Sequence, residues 1–367
     1  VDKAKIAVMF PAVLAAFLYG TGFPICKIFM EQIDPIPLLS LISFGEGLGL
    51  FLLRFFQKKR GLQAEARIDR SDSPWLLGAI ALGGVTAPTL VLLGLKVTPA
   101  VTASLLLNFE TVATVLIAVI FFHEAVGGQV WLAVLFILAG SVLLSLDFSS
   151  PMGISLGAII VLLATIFWAL NRNVARNISA KDPLQIMMIR GFAAGICTLI
   201  ISFALGQRIL SFWMSLLAML LGFVCFGLGY VFELQSLRHL GASRTGAIVT
   251  TNPFVSVVVS LILFREGLNW LFYAALPLIL IGLILILREK HSHSHVHEPC
   301  THEHRHRHDD GHHDHTHAEG EVPKSGYHSH LHSHSLLFHT HQHTPDIHHR
   351  HSHSVKKVPQ LTDSDPQ

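Results

Sequence analysis

The sequence predicts an all-α membrane protein: ten transmembrane helices arranged as two inverted five-helix repeats, followed by a disordered C-terminal tail. Three observations carry this reading. Ten stretches are apolar over about the length needed to cross a bilayer. The Lys and Arg residues between them crowd alternate connections, and the chain resembles itself at a shift of about 142 residues. Composition agrees: 51% of residues are hydrophobic and 14% charged, where soluble domains average about 25% charged.

The apolar stretches follow in order. The first, 6–25, comes after "VDKAK"; it is too long for a signal-peptide core and no small-x-small cleavage site follows, so it reads as a retained span. The second, 36–53, opens behind Asp34-Pro35 and gives way to a polar stretch at 54–74. The third, fourth and fifth are 75–95, 101–121 and 129–147. The sixth is 154–171, and the seventh, 184–205, again opens behind an Asp-Pro pair, Asp182-Pro183. The last three are 212–236, 244–264 and 269–287. Backbone polar groups cannot go unpaired in lipid, so each stretch must be helical.

With the N-terminus in the cytoplasm, fifteen Lys/Arg fall on the cytoplasmic side, while Lys27, Lys96, Arg208 and Arg265 fall on the other. This asymmetry orients the chain, and an even number of spans returns the C-terminus to the cytoplasm of a cell (inner) membrane.

The repeat sets the internal organisation. "FFHEAVGGQVWLAVLFILAG" aligns with "LFREGLNWLFYAALPLILIG", bringing Phe122 onto Phe264, Glu124 onto Glu266 and Gly140 onto Gly282. Upstream, Asp34-Pro35 falls on Asp182-Pro183 at a shift of 148. The expected units are 1–148, 149–290 and a tail of 291–367. Five spans per unit put the second copy upside down relative to the first, an arrangement typical of secondary transporters.

On Phe122, Glu124, Gln129 and Gly140, and on Pro253, Phe264, Glu266 and Gly282, residues 1–290 resemble EamA-type carriers of the drug/metabolite transporter superfamily. The resemblance implies an exporter-like carrier with a cavity among the first, third, fourth, sixth, eighth and ninth helices. Two positions depart from the pattern. Thr111 stands opposite Pro253, and Ile42 stands opposite Arg190.

Ionisable groups at membrane depth are costly and by default face a bundle interior. Glu46, Glu110, Glu233 and Arg190 qualify, with the amides of Asn108 and Asn252 and the aromatic residues Tyr19, Trp168 and Tyr230 as further lining candidates. The carboxylates are candidates for taking up and releasing protons, and Arg190 for holding a substrate carboxylate or pairing with one of the glutamates. Glu124 and Glu266 recur at helix ends, where capping or pairing is the expected role. The fifth and tenth spans hold almost nothing polar, so they are expected to face lipid or a second copy in a homodimer.

Of the 25 histidines, 23 lie between His291 and His353. His291, His293, His295, His297, Cys300, His302, His304, His306, His308, His312, His313, His315 and His317 make the densest run. Neutral imidazole binds Zn²⁺, Ni²⁺, Co²⁺ and Cu²⁺, so the tail is expected to bind such ions without fixed geometry. That binding is incidental, a buffer or regulator, or a feed for a carried metal.

The expected function is a secondary transporter exporting small metabolites or amino-acid-like solutes, coupled to protons. The alternative is an exporter of a transition-metal ion or metal chelate. No catalytic motif points to an enzyme, no cofactor is required, and nothing points to nucleic acid. The expected partners are the lipid bilayer and a small-molecule substrate.

Overall fold

The computed structural model describes residues 3–59, 68–122, 126–147, 153–178, 181–207, 211–240 and 242–288, and in the tail 292–297, 300–306, 328–334 and 337–342. Among these residues the body is helical. Eight helices are long and apolar enough to cross a bilayer, and two shorter apolar helices, Asn252–Phe264 and Trp270–Ile286, complete ten spans in the predicted order. The protein is a multi-pass integral membrane protein.

Local signals account for several helix ends. Asp182 caps the seventh span, Pro183–Ala204, by accepting from the Gln185 N–H, and Pro183 fills a first-turn position that needs no donor. Ser211 caps the eighth in the same way through the Met214 N–H. The second helix runs on to Lys59, beyond the end expected at residue 53. Its polar extension is anchored by Arg54, 2.9 Å from Asp182.

Two pairs of helices depart from regular α-geometry at repeat-related places, which hydropathy does not foretell. The third and eighth spans each contain a π-helical stretch, Ile80–Thr86 and Gly222–Leu228. These coincide at the shift of 142 that relates the halves. The fourth and ninth spans are each interrupted. The fourth runs as Ala100–Leu106 and then Phe109–Phe122, the ninth as Ala242–Val249 and then Asn252–Phe264. At each break a carbonyl accepts from the backbone N–H three residues on and from the side chain of that same residue. Asn108 Nδ2 donates to the Leu105 carbonyl at 2.9 Å, and Thr251 Oγ1 to that of Ile248 at 2.6 Å. The fourth span therefore breaks although Thr111 replaces the expected proline. A buried amide that bonds its own backbone serves where a missing N–H would.

Packing follows a pseudo-two-fold rule. The second span packs on the seventh and the fifth on the tenth. The first packs on the eighth and ninth, as the sixth packs on the third and fourth. Advancing each helix by five exchanges these pairs. The fifth–tenth contact shows the symmetry in atoms. A Cβ on Gly140 would stand 2.6 Å from Ile279 Cγ1 and 3.1 Å from the Ala275 carbonyl, while one on Gly282 would stand 2.6 Å from Ile137 Cγ1 and 2.9 Å from the Ala133 carbonyl. Small residues let these backbones approach. The outer faces of the two helices, with Leu135 and Tyr273 among them, are exposed and apolar. Gly140→Leu is expected to destabilise the protein by about 1–3 kcal/mol through overpacking, read as a lower Tm in detergent. Gly128→Ala, with nothing within 4 Å of the new methyl, should leave Tm unchanged.

In the tail, the alternation of His with other residues is the period-two pattern of a strand, and the described segments are paired strands. Ser292–His297 pairs antiparallel with Leu337–Gln342, and Cys300–His306 with His328–His334. The tail was expected to carry no regular structure, so these ladders are an addition to that picture. Two-stranded ladders taken alone are marginally stable in water.

Candidate functional site

Three carboxylates of the body meet their partners across helices. Arg190, on the seventh span, donates through Nη2 to Glu46 Oε1 on the second at 3.2 Å, and Glu46 is 7% exposed. Arg172, at the end of the sixth, forms an ion pair with Glu110, just past the break in the fourth. Glu233, on the eighth, accepts from the Tyr19 hydroxyl of the first at 2.8 Å. The three pairs belong to one electrostatic neighbourhood. Glu233 senses Arg172, Glu110 and Arg190, and Tyr19 senses Tyr230 and Glu46.

The Arg172 side chain is 60% exposed, yet it interacts with Glu110, Glu233 and Tyr19, which lie on the fourth, eighth and first spans. Arg172 thus turns its charge toward groups of three other helices, with Glu110 as its direct partner.

Aromatic rings lie beside this charged layer. Phe23, four residues along from Tyr19, sits 5.8 Å from Trp168 and 5.6 Å from Phe226 between ring centroids. Glycines bring the helices this close. A Cβ on Gly229 would meet the Tyr19 ring at 2.9 Å, and one on Gly20 would meet the Asn252 carbonyl at 2.6 Å. The first span thus touches the break in the ninth where Asn252 begins its second piece. Within the π-helical stretch of the third span, Gly84 lies against the aliphatic stem of Arg190 and Gly83 against the Asn171 side chain. The Asn171 Oδ1 atom is buried with no hydrogen-bond partner. Asn108, 4% exposed, is committed to its own backbone at the fourth-span break.

The structure therefore gathers Glu46, Arg190, Glu110, Glu233, Tyr19 and Tyr230 into one layer, sets Trp168 in the adjoining aromatic group, and leaves Asn108 and Asn252 at the two breaks. Sequence reading missed Arg172, Asn171, Phe23 and Phe226. Spacing offered a signal for three of them. Asn171 and Arg172 follow Trp168 by three and four residues, and Phe23 follows Tyr19 by four, so each shares a helix face with a residue already singled out.

A family model settles what kind of protein this is: that of the EamA-like transporter family matches the chain twice, over residues 6–146 and 155–288. The chain belongs to the EamA-like transporter family. An uncharacterised transporter of Methanothermobacter thermautotrophicus is similar to it, 29% identical over 269 residues that cover 69% of this chain and 78% of the relative. A solved structure described only as the crystal structure of a protein superposes with a TM-score of 0.54 at 17% identity, covering 76% of this chain and 96% of that one. That likeness is one of fold. The family assigns this chain to membrane transporters rather than enzymes, with the bilayer and a small-molecule substrate as its partners.

Among the described residues of this EamA-like transporter, no group of three or more His, Cys, Asp or Glu side chains is placed to hold a metal ion. His291, His308, His312, His313, His315 and His317 lie outside the described residues. Of His293, His295, His297, Cys300, His302, His304 and His306 only the backbone is described.

Outside the membrane, Lys181 bridges Asp69 at 2.9 Å and Asp72 at 3.1 Å, tying the start of the third span to the loop before the seventh. Hydrogen bonds from Ser71 and Lys181 hold the Asp69 carboxyl well below the usual carboxylate range. A depressed carboxyl contributes stability that is present above its unfolded value and lost as pH falls toward its folded one. Asp69 thus stays ionised through the range where a transporter works, and contributes no pH dependence there.

Proposed function

We propose that this chain is a secondary active exporter of small metabolites or amino-acid-like solutes across the inner membrane, coupled to protons. The termini are cytoplasmic, and the halves 1–148 and 149–290 rock about the layer formed by Glu46–Arg190, Glu110–Arg172 and Glu233–Tyr19. The observation that carries this reading is the meeting of three carboxylates with partners on other helices, Glu46 with Arg190, Glu110 with Arg172 and Glu233 with Tyr19. It is supported by helix breaks and π-helical stretches at repeat-related positions around the same layer, since irregular backbone at membrane depth is tolerated where it lines a cavity.

The layer also divides the roles. Both guanidiniums are engaged by a glutamate, whereas the direct partner of Glu233 is a tyrosine hydroxyl. Glu233 can accept a proton without breaking an ion pair, which makes it the proton-carrying carboxyl. A substrate carboxylate reaches Arg190 only by competing with Glu46.

The tail, 291–367, is read as a cytoplasmic binder of Zn²⁺, Ni²⁺, Co²⁺ or Cu²⁺ that buffers the ion or regulates the carrier. The alternative, export of a metal ion or chelate fed by the tail, is favoured by the 23 histidines. It finds no ligand set among the described helices.

Vesicles carrying the full chain or residues 1–290 decide between the two readings when loaded with an amino-acid panel or with Zn²⁺, Ni²⁺ and Co²⁺. Organic flux that persists without the tail is expected. Metal flux that disappears with the tail, with no organic flux from either protein, would overturn the proposal.

A further inference from the structure

At one end of the bundle, the end of the ninth span reaches across to the other half. Glu266 follows Arg265, which ends the ninth span in the left-handed conformation, φ 49°. That turn aims the Glu266 carboxylate at the first half, and both of its oxygens are engaged there. Oε1 accepts from the Ala100 N–H at 2.8 Å and from Lys27 Nζ at 3.1 Å, and Oε2 accepts from the Val101 N–H at 3.0 Å. Lys27 in turn donates to the Thr98 carbonyl at 2.8 Å and lies 5.5 Å from the centroid of the Phe264 ring. Lys27 and residues 98–101 belong to the first five-helix half, Phe264 and Glu266 to the second. One carboxylate of the second half is thus seated in a cup of donors built by the first.

Cys26 precedes Lys27 on the first span. It is 1% exposed, and its apolar cluster mixes Leu38 and Leu92 of the first half with Ala218, Leu221 and Cys225 of the second. The halves cannot part at this end without vacating the cup and uncovering Cys26.

We propose that Glu266 and Lys27 form the outer gate of the transport cycle, closed in this structure and released when the site opens to the outside. The gate rests on the alternating-access reading and on the orientation drawn from the Lys/Arg asymmetry. A carboxylate held by two backbone N–H groups and an ammonium makes charge-assisted bonds, which bias the equilibrium between the closed and open states. Two positions carry the energy. Glu266 supplies the charge that fills the cup, and Lys27 ties that charge to the Thr98 carbonyl.

The test uses the native thiol. In a full-length chain carrying Cys197→Ser, Cys225→Ser and Cys300→Ser, Cys26 is the one remaining cysteine. Its labelling by a membrane-impermeant maleimide is followed in right-side-out and inside-out vesicles, with Tm measured alongside. Glu266→Gln is expected to raise outside labelling about tenfold or more, Lys27→Met less, and Glu266→Asp least. The exchanged pair Lys27→Glu/Glu266→Lys should not restore closure, because a lysine cannot accept the Ala100 and Val101 N–H groups. Restoration by the exchange would reduce the cup to a plain ion pair and overturn the backbone part of the proposal. A lower Tm with unchanged labelling in Glu266→Gln and Lys27→Met would make the contact a structural cap and overturn the gate. Increased labelling from the cytoplasmic side alone would uphold the gate and overturn the orientation. Increased labelling in a protein that moves no solute would uphold a latch between the halves and overturn the transport reading.

Discussion

Glu233→Gln is expected to abolish proton-driven accumulation, lowering it by about a hundredfold or more, while leaving exchange of substrate across the membrane measurable. Glutamine has the shape of the protonated side chain and can still accept from the Tyr19 hydroxyl, now 2.8 Å from Glu233. It cannot release a proton, so the cycle loses its coupling and keeps its binding geometry. An ionisable group inside a membrane protein is retained against its cost, which makes a functional role the default reading. Tyr19→Phe removes one hydrogen bond and should cost about two- to tenfold, in line with roughly 0.5–1.5 kcal/mol. The measurement is uptake driven by a pH gradient, set beside counterflow with no gradient, in vesicles of the same protein content. Gradient-driven uptake equal to that of the unmodified chain in Glu233→Gln would remove Glu233 from the coupling path.

The second large effect concerns stability. Arg190→Met leaves the Glu46 carboxylate buried without its cation, and is expected to destabilise the protein by about 3–5 kcal/mol. Glu46→Gln should cost less, because the amide oxygen still accepts from Arg190 and the guanidinium left behind is the more exposed member of the pair. The double variant Glu46→Gln/Arg190→Met should regain most of the loss, since neither charge is then orphaned. Unfolding of the four proteins in detergent gives the coupling energy of the pair. Transport by the double variant separates structure from function: a stable protein with full activity would make the pair a scaffold, while a stable, inactive one would place it on the substrate route.

These expectations differ in how far the sequence alone could reach them. The repeat could be read from Glu124 and Glu266, Gly140 and Gly282, and the two Asp-Pro pairs. It led to the inverted halves, and the structure adds their atomic counterpart in the mutual packing of Gly140 and Gly282 against Ile279 and Ile137. The capping role expected for Glu266 is met by its bonds to Ala100 and Val101, whereas Glu124 lies outside the described residues. Other features stayed hidden. Arg172 closes an apolar stretch and so reads from sequence as one of the fifteen cytoplasmic charges, and only its pairing with Glu110 brings it into the charged layer. The interruption at Asn108 was equally hidden, since an uninterrupted apolar run and a broken one have the same hydropathy.

By itself the sequence determined that the chain crosses the membrane about ten times, that it does so in two related halves, and that its histidines are set apart in a tail. Those properties follow from a transfer energy that adds residue by residue and from backbone groups that must be paired in lipid. Only the tertiary structure decided that Glu46 meets Arg190 across 144 residues, Glu110 meets Arg172 across 62, and Tyr19 meets Glu233 across 214. Which side chains meet depends on how each helix is turned about its axis and how closely glycines let it approach its neighbours. Neither is a property of any one stretch of sequence.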